Sequence, residues 1–178
     1  TSEQRDYAES VRSSADALLI LINDILDYSK IEAGKLELDV IDFDLRAMLE
    51  EVCDLVALKA DEKGLEFAYL IEDAVPTQLR GDPVRLRQVL NNLVGNALKF
   101  TRQGSVSVDL DWRDGQLRVS VTDTGPGIPP EQHDAIFEKF SQVKGVERRG
   151  AGLGLTFCKM VIGAHQGQVK AADSPLGG

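Results

Sequence analysis

The chain has 178 residues, a formal net charge of −9 at pH 7, 43% hydrophobic and 28% charged residues, a size and balance suited to one well-buried core. So acidic a composition argues against a general nucleic-acid or anionic-membrane binder, which needs clustered Lys and Arg. It leaves room for an anionic ligand held locally by backbone N–H groups and a metal.

Cys53 and Cys158 are too few for a disulfide framework or a zinc site and read as buried free thiols in a reducing, cytoplasmic setting. No apolar run reaches the ~20 residues of a membrane span, and no signal peptide opens the chain. Thr1 at the start and Leu176-Gly177-Gly178 at the end read as cuts through a longer protein, which leaves a membrane-anchored parent open.

The first thirty residues read as one helix. Tyr7, Val11, Ser14, Leu18, Leu21, Ile25 and Tyr28 alternate steps of four and three, the seam of a helix packed on other helices. Ala15, Ile22 and Leu26 widen that seam into a face suited to a four-helix bundle, and Gly34 stands where a glycine would stop the helix. An amphipathic helix packed on its own domain has the same pattern. Leu36, Leu38, Val40 and Phe43 lie near a short strand, and Asp44 is the N-cap of a helix from Leu45 to about Ala60. Gly64 ends it, and Leu65 to Ile71 reads as a strand.

Asp82-Pro83 is an N-cap followed by proline at the first helical position, opening a helix to about Phe100. Val106, Val108 and Leu110 alternate as one strand and Leu117, Val119 and Val121 as the next, joined by a hairpin turn at Arg113-Asp114-Gly115. A glycine- and proline-rich segment runs from Asp123 to Pro130, then a short helix around Glu131 to Phe137. A second glycine-rich stretch, Lys144 to Gly154, leads into a helix ending near His165, and a last strand is expected around Val169. Helices and strands interleave without a repeat, which predicts an α/β two-layer sandwich with the helices on one sheet face.

Three segments bear chemistry, each ambiguous alone. On the helix after Pro83, Asn92, Asn96 and Lys99 are spaced i, i+4 and i+7 and share one face. Neutral amide oxygens can join a Mg²⁺ shell while nucleotide phosphates and a nearby Lys balance the charge, although polar helix faces are mostly just solvated. Asp123-Thr124-Gly125-Pro126-Gly127-Ile128 follows a strand. Its aspartate can accept an adenine amine and its glycines let backbone lie against a flat ring, yet the same residues simply make turns. Gly150-Ala151-Gly152-Leu153-Gly154-Leu155 feeds a helix N-terminus, a ready phosphate cradle, but a lone glycine-rich loop is a weak signal.

Taken together, in this order and on these elements, the three segments resemble the N, G1 and G2 boxes of the histidine-kinase and gyrase/Hsp90-type ATPase superfamily. Phe137-Glu138-Lys139-Phe140-Ser141-Gln142 resembles the histidine kinases' F box. Asp27 to Lys35 is similar to the end of the second dimerisation helix of hybrid sensor kinases, and Gly81 to Leu90 to the approach to the N box. The resemblance implies the histidine-kinase/gyrase/Hsp90 ATPase fold over residues 35–178, preceded at 1–34 by the second helix of the dimerisation and phosphoacceptor hairpin. It implies ATP and Mg²⁺ as ligands. Asn96 would ligate the metal, with Asn92 and Lys99 near the triphosphate and Phe100 and Ile128 bordering the nucleotide. Asp123 would hold the adenine amine, with Gly125 and Gly127 beneath the ring. Gly150, Gly152, Leu153 and Gly154 would shape the phosphate end of a lid formed by Ser141 to Arg149. Ala151 stands where these kinases often carry threonine, which removes one hydroxyl contact.

The same resemblance implies a protein-histidine kinase of a two-component system, a phosphoprotein in signal transduction. Its partners would be the missing phosphoacceptor helix, a response-regulator receiver domain and a second copy through the N-terminal helix, with no nucleic acid. The acceptor histidine, however, is missing. Only His133 and His165 exist; His133 is expected on an exposed helix start and His165 as a helix C-terminal cap. No catalytic residue is therefore assigned within the chain, and the fragment alone should not autophosphorylate. Two other readings stay open: a gyrase- or Hsp90-like ATPase, and a degenerate nucleotide-binding interaction module. The first has Asn92, a carboxamide, where those ATPases place a water-activating glutamate.

Overall fold

The computed structural model describes residues 37–138 and 152–174, together with Gln4, Tyr7, Val11, Arg12, Ala15 and Ile22. Those six isolated positions are all helical and exposed. Of the N-terminal seam, Ser14, Leu18, Leu21, Ile25 and Tyr28, with Leu26 and Gly34, lie outside the described residues.

The first continuous elements are strand β1 (Ile41–Asp44) and helix α1 (Leu45–Glu62). Asp44 caps α1 as its sequence position predicts: its backbone is extended, and its carboxylate accepts the Ala47 N–H at 2.9 Å. The helix closes at Gly64, whose φ of 66° suits glycine, with Gly64 N–H bonding Asp61 O and Leu65 N–H bonding Ala60 O. Strand β2 follows (Glu66–Ile71), then β3 (Gln78–Gly81) and helix α2 (Pro83–Phe100). Asp82 caps α2 by accepting the Arg85 N–H at 3.0 Å, with Pro83 as its first residue. Strands β4 (Ser105–Arg113) and β5 (Gln116–Asp123) form a hairpin whose turn residues, Asp114 and Gly115, have φ of 52° and 76°. These values match the left-handed pair that a two-residue hairpin turn requires.

Two 3-10 turns, Pro130–Gln132 and Ala135–Phe137, stand where one short helix was expected; neighbouring prolines and the short apolar run do not sustain i→i+4 bonding. Helix α3 spans Gly154–Ala164 with His165 as its C-cap. The strand expected around Val169 is not formed. A single apolar residue among exposed Gly167, Gln168 and Lys170 gives no alternating face, and β5 pairs only with β4.

The strands make two sheets. β1 pairs antiparallel with β3, while β2, β4 and β5 lie in that order, β2 parallel and β5 antiparallel to β4. Strand β3 escapes the sequence reading because four residues with one large apolar side chain carry no period. The main core lies between α1, α2 and the three-stranded sheet. Leu49, Val52 and Val56 of α1 meet Leu90, Val94 and Leu98 of α2 and Val106, Val108 and Leu110 of β4. The alternation along β4 thus points its apolar residues at one helical layer, the two-layer sandwich that the sequence predicts. A second, smaller cluster of Val89, Phe157, Cys158 and Val161 holds α3 against α2. Both cysteines are buried free thiols.

Candidate functional site

One part of the candidate site lies where β5 and α2 both end. β5 stops at Asp123 and α2 is capped by Thr101, whose N–H bonds Ala97 O. Thr101 is 4% exposed, so its hydroxyl needs a buried partner and donates to Asp123 Oδ1 at 3.3 Å. The Gly125 N–H donates to the same oxygen at 2.8 Å, a local turn that fixes the carboxylate's orientation. Glycine is required at 125 by space. A Cβ there would lie 2.6 Å from Asp123 Oδ1 and 3.4 Å from both Phe100 O and Thr101 Oγ1. Thr124 locks the next position: its hydroxyl accepts the Ser105 N–H at 2.9 Å, and its own N–H bonds Ser105 O. Gly104, with φ of 109°, passes so close to Thr124 Oγ1 that a Cβ would overlap it. Gly127 has φ of 70°, so the loop turns there where only glycine does so without strain.

The other part of the candidate site is where α3 begins. Leu153, the N-cap of α3, makes no side-chain capping bond, and a helix start of this kind can offer its first-turn N–H groups to an anion. Gly152 enters this turn with φ of 69°. A Cβ on Gly154 would lie 3.5 Å from Asn92 Cγ and Oδ1, so the carboxamide is seated directly against the helix start. Asn92 Nδ2 is buried and has no hydrogen-bond partner among the described residues. A buried, unpaired amide donor costs ~1–3 kcal/mol, and one next to a helix start suits a bound anion.

Between the two parts, Asn96 and Lys99 are half-buried on α2. The Lys99 ammonium lies 4.8 Å from the centroid of the Phe100 ring. From Asn92 to Phe100 the helix advances ~12 Å at 1.5 Å per residue, so one helix reaches both parts of the candidate site. Lys63 steadies its last turn by donating to Leu98 O at 2.8 Å. Among the described residues no group of three His, Cys, Asp or Glu could hold a metal. A Mg²⁺ here would rely on amide and phosphate oxygens. Gly150, Ala151 and the expected lid from Ser141 to Arg149 lie outside the described residues.

Both histidines make hydrogen bonds within the fold. His133 is half-buried rather than exposed. It follows the first 3-10 turn, and its Nε2 bonds Ile128 O at 2.8 Å, beside Asp173 at 3.5 Å. His165 caps α3 as expected and uses both ring nitrogens, Nδ1 with Val161 O at 2.9 Å and Nε2 with the Asp82 N–H at 3.1 Å. A hollow of ≈ 380 Å³ lies between Pro126–Pro130 and Asp173–Ser174. None of Asn92, Asn96 or Asp123 lines it, so it is not the candidate site just described.

Residues 81–178 match the family described as histidine kinase-, DNA gyrase B- and HSP90-like ATPases. The chain belongs to this family. Within it, the likeness is to sensor kinases. The sensor protein GacS of Pseudomonas syringae pv. syringae is 44% identical over 183 residues, covering 98% of this chain and 20% of GacS. The full-length structure of ShkA in complex with AMPPNP superposes with a TM-score of 0.84 at 39% identity, over 98% of this chain and 36% of ShkA. The histidine kinase ThkA, in complex with the response regulator protein TrrA, gives a TM-score of 0.74 at 26% identity, over 98% of this chain and 48% of ThkA. The chain spans about one fifth of the length of the curated relatives it matches.

The chain is thus a histidine-kinase-like ATPase domain, similar over nearly its whole length to one part of these sensor kinases. Among the described residues no helix is long and apolar enough to cross a membrane. Sequence reasoning missed Thr101 and Thr124 as anchors of the Asp123 loop. A threonine directly after a helix end, and another after a strand-ending aspartate, were the only signals available.

Proposed function

We propose that the chain binds Mg·ATP along α2, between the Asp123 loop and the start of α3. In the whole protein, the γ-phosphoryl group would pass to a histidine on a helix outside this chain. The reading rests on Asn92, whose carboxamide packs against Gly154 at the start of α3 through Cγ and Oδ1. Its buried Nδ2 has no hydrogen-bond partner among the described residues, and a phosphate oxygen is an acceptor that would satisfy that donor.

The roles follow from position. Asp123, its carboxylate held by Thr101 and Gly125, accepts the adenine amine and excludes bases that lack one. Gly125 and Gly127 let the loop lie flat beneath the ring, and Ile128 and Phe100 border it. Asn92 and Lys99 orient the phosphates, and Asn96 is the amide that would hold Mg²⁺. When bound, that ion neutralises charge on the phosphate oxygens during transfer. Gly152, Leu153 and Gly154 present backbone N–H groups to the phosphates, and Gly150 belongs to the same glycine-rich approach.

Residues 1–34 serve as the second helix of a dimerisation hairpin and 35–178 as the catalytic domain. The exposed Tyr7 and Val11 (65% and 70%) support pairing with a second copy and with the acceptor helix. The ThkA complex supports a receiver domain as the onward partner. The test is calorimetric titration of the chain with Mg·AMPPNP. Saturable binding at micromolar to millimolar strength, weakened in both Asn96→Asp and Asp123→Asn, is expected. Equal affinity in wild type and both variants would reject the site.

A further inference from the structure

Helices α2 and α3 run antiparallel, and each end of their contact is distinctive. At one end Gly154 of α3 abuts Asn92 of α2. At the other, ~15 Å away by ten residues of helical rise, the His165 ring lies against Gly81 and accepts the Asp82 N–H. Asp82 is a fixed point. It is 4% exposed, and its carboxylate accepts both the Arg85 N–H of α2 at 3.0 Å and the Asp39 N–H at 3.1 Å. His165 is equally constrained. Because Nε2 faces a backbone N–H it must carry the lone pair, so Nδ1 carries the proton and donates to Val161 O. The ring therefore bridges the last turn of α3 to the first turn of α2.

What lies between is thin. α3 is held by the small cluster of Val89, Phe157, Cys158 and Val161, which is separate from the main core. Apolar contacts resist separation of two helices more than sliding and rotation, because they lack direction, and the thiol bond within the cluster, from Cys158 Sγ to Val89 O at 3.8 Å, is weak. The stronger imidazole hydrogen bond at the far end adds direction there. We propose that His165 is a positioning residue of the nucleotide site: it sets the register of α3 on α2 and so aligns the α3 N-terminus with Asn92. This rests on the ATP-binding reading of that site.

The test uses the chain as it stands, titrated with Mg·AMPPNP beside thermal melts. His165→Phe keeps ring volume and removes the acceptor; about a tenfold loss of affinity is expected, the scale of one lost directional hydrogen bond. His165→Gln can place an amide oxygen near the Nε2 position and should stay within about threefold of wild type. Val56→Ala, in the main core, should lower the melting temperature without changing affinity. Three results would overturn the inference. They are wild-type affinity in folded His165→Phe, equal weakening in His165→Gln, or equal weakening in Val56→Ala at matched loss of stability. If His165→Phe does not fold, His165→Asn replaces it under the same criteria, since its shorter amide reaches the Nδ1 position only. Wild-type protein that binds no nucleotide would reject the ATP-binding reading itself, whereas a binding wild type with an indifferent His165 rejects only this inference.

Discussion

Replacing Gly125 with alanine isolates the carboxylate of Asp123. Gly125 does not have a positive φ, so alanine adds no backbone strain and acts through its methyl group alone. The new Cβ would sit 2.6 Å from Asp123 Oδ1, where ordinary contact begins at 3.4 Å. Relief requires the difference, about 0.8 Å of movement. The Thr101 bond to that oxygen is already 3.3 Å long and would not survive such a shift, and the 2.8 Å bond from Gly125 N would be strained. Hydrogen bonds to charged groups contribute ~1.5–3 kcal/mol. A displaced carboxylate loses a bond of that class to the adenine amine, which weakens nucleotide binding roughly 10- to 100-fold. Calorimetry with Mg·AMPPNP measures this, and a melt confirms folding. Wild-type affinity in a folded Gly125→Ala protein would refute the reasoning, because it would mean that the Asp123 carboxylate does not touch the ligand.

Gly104→Ala combines left-handed strain of ~1–2 kcal/mol with loss of the Thr124–Ser105 bond at ~1 kcal/mol. Calorimetric melting should fall by roughly 5–10 °C at this chain length, and an unchanged transition would contradict the steric account. Cys53 is pushed up from 9.0 to about 11, first by burial and then by the Asp54 and Glu50 carboxylates. The unfolded thiol therefore ionises first, and stability should drop as pH rises from about 9 to about 11. Denaturant melts across that range should show a shallower fall in Cys53→Ala; identical alkaline limbs would count against it. Incubation of the chain with γ-labelled ATP should leave no acid-labile label on His133 or His165, since both ring nitrogens of His165 are bonded within the fold and His133 Nε2 is held by Ile128 O. Label on either would overturn the exclusion.

Much of this was legible because the decisive signals are local. Asp44 and Asp82-Pro83 announce helix starts through capping chemistry within three residues, and both caps form. The alternation of Val106, Val108 and Leu110 needs only a period of two, and Asp114-Gly115 supplies the turn. Asp123 is visible as the end of a strand before glycines. What stayed hidden depends on residues distant in sequence. Strand β3 exists through its pairing with β1 across more than thirty residues. Val169 lacks such a partner and forms no strand. The meeting of Asn92 with Gly154, the Thr101 bond to Asp123 and the two ends of the His165 ring are tertiary contacts. No window of sequence contains them, and His133, expected on the surface, is likewise half-buried beside Asp173, a residue far along the chain.

The central claim is that this site reads adenine through Asp123 while α2 and α3 hold the phosphates. Its most direct measurement compares ATP with inosine triphosphate, which lacks the exocyclic amine, in the wild type and in Asp123→Asn. A site built to pair with that amine leaves a buried acceptor unsatisfied when the amine is missing. At least about tenfold preference for ATP is expected in the wild type, with weaker ATP binding and most of that preference lost in Asp123→Asn. Equal affinity for the two nucleotides in the wild type, or full discrimination retained in Asp123→Asn, would contradict it.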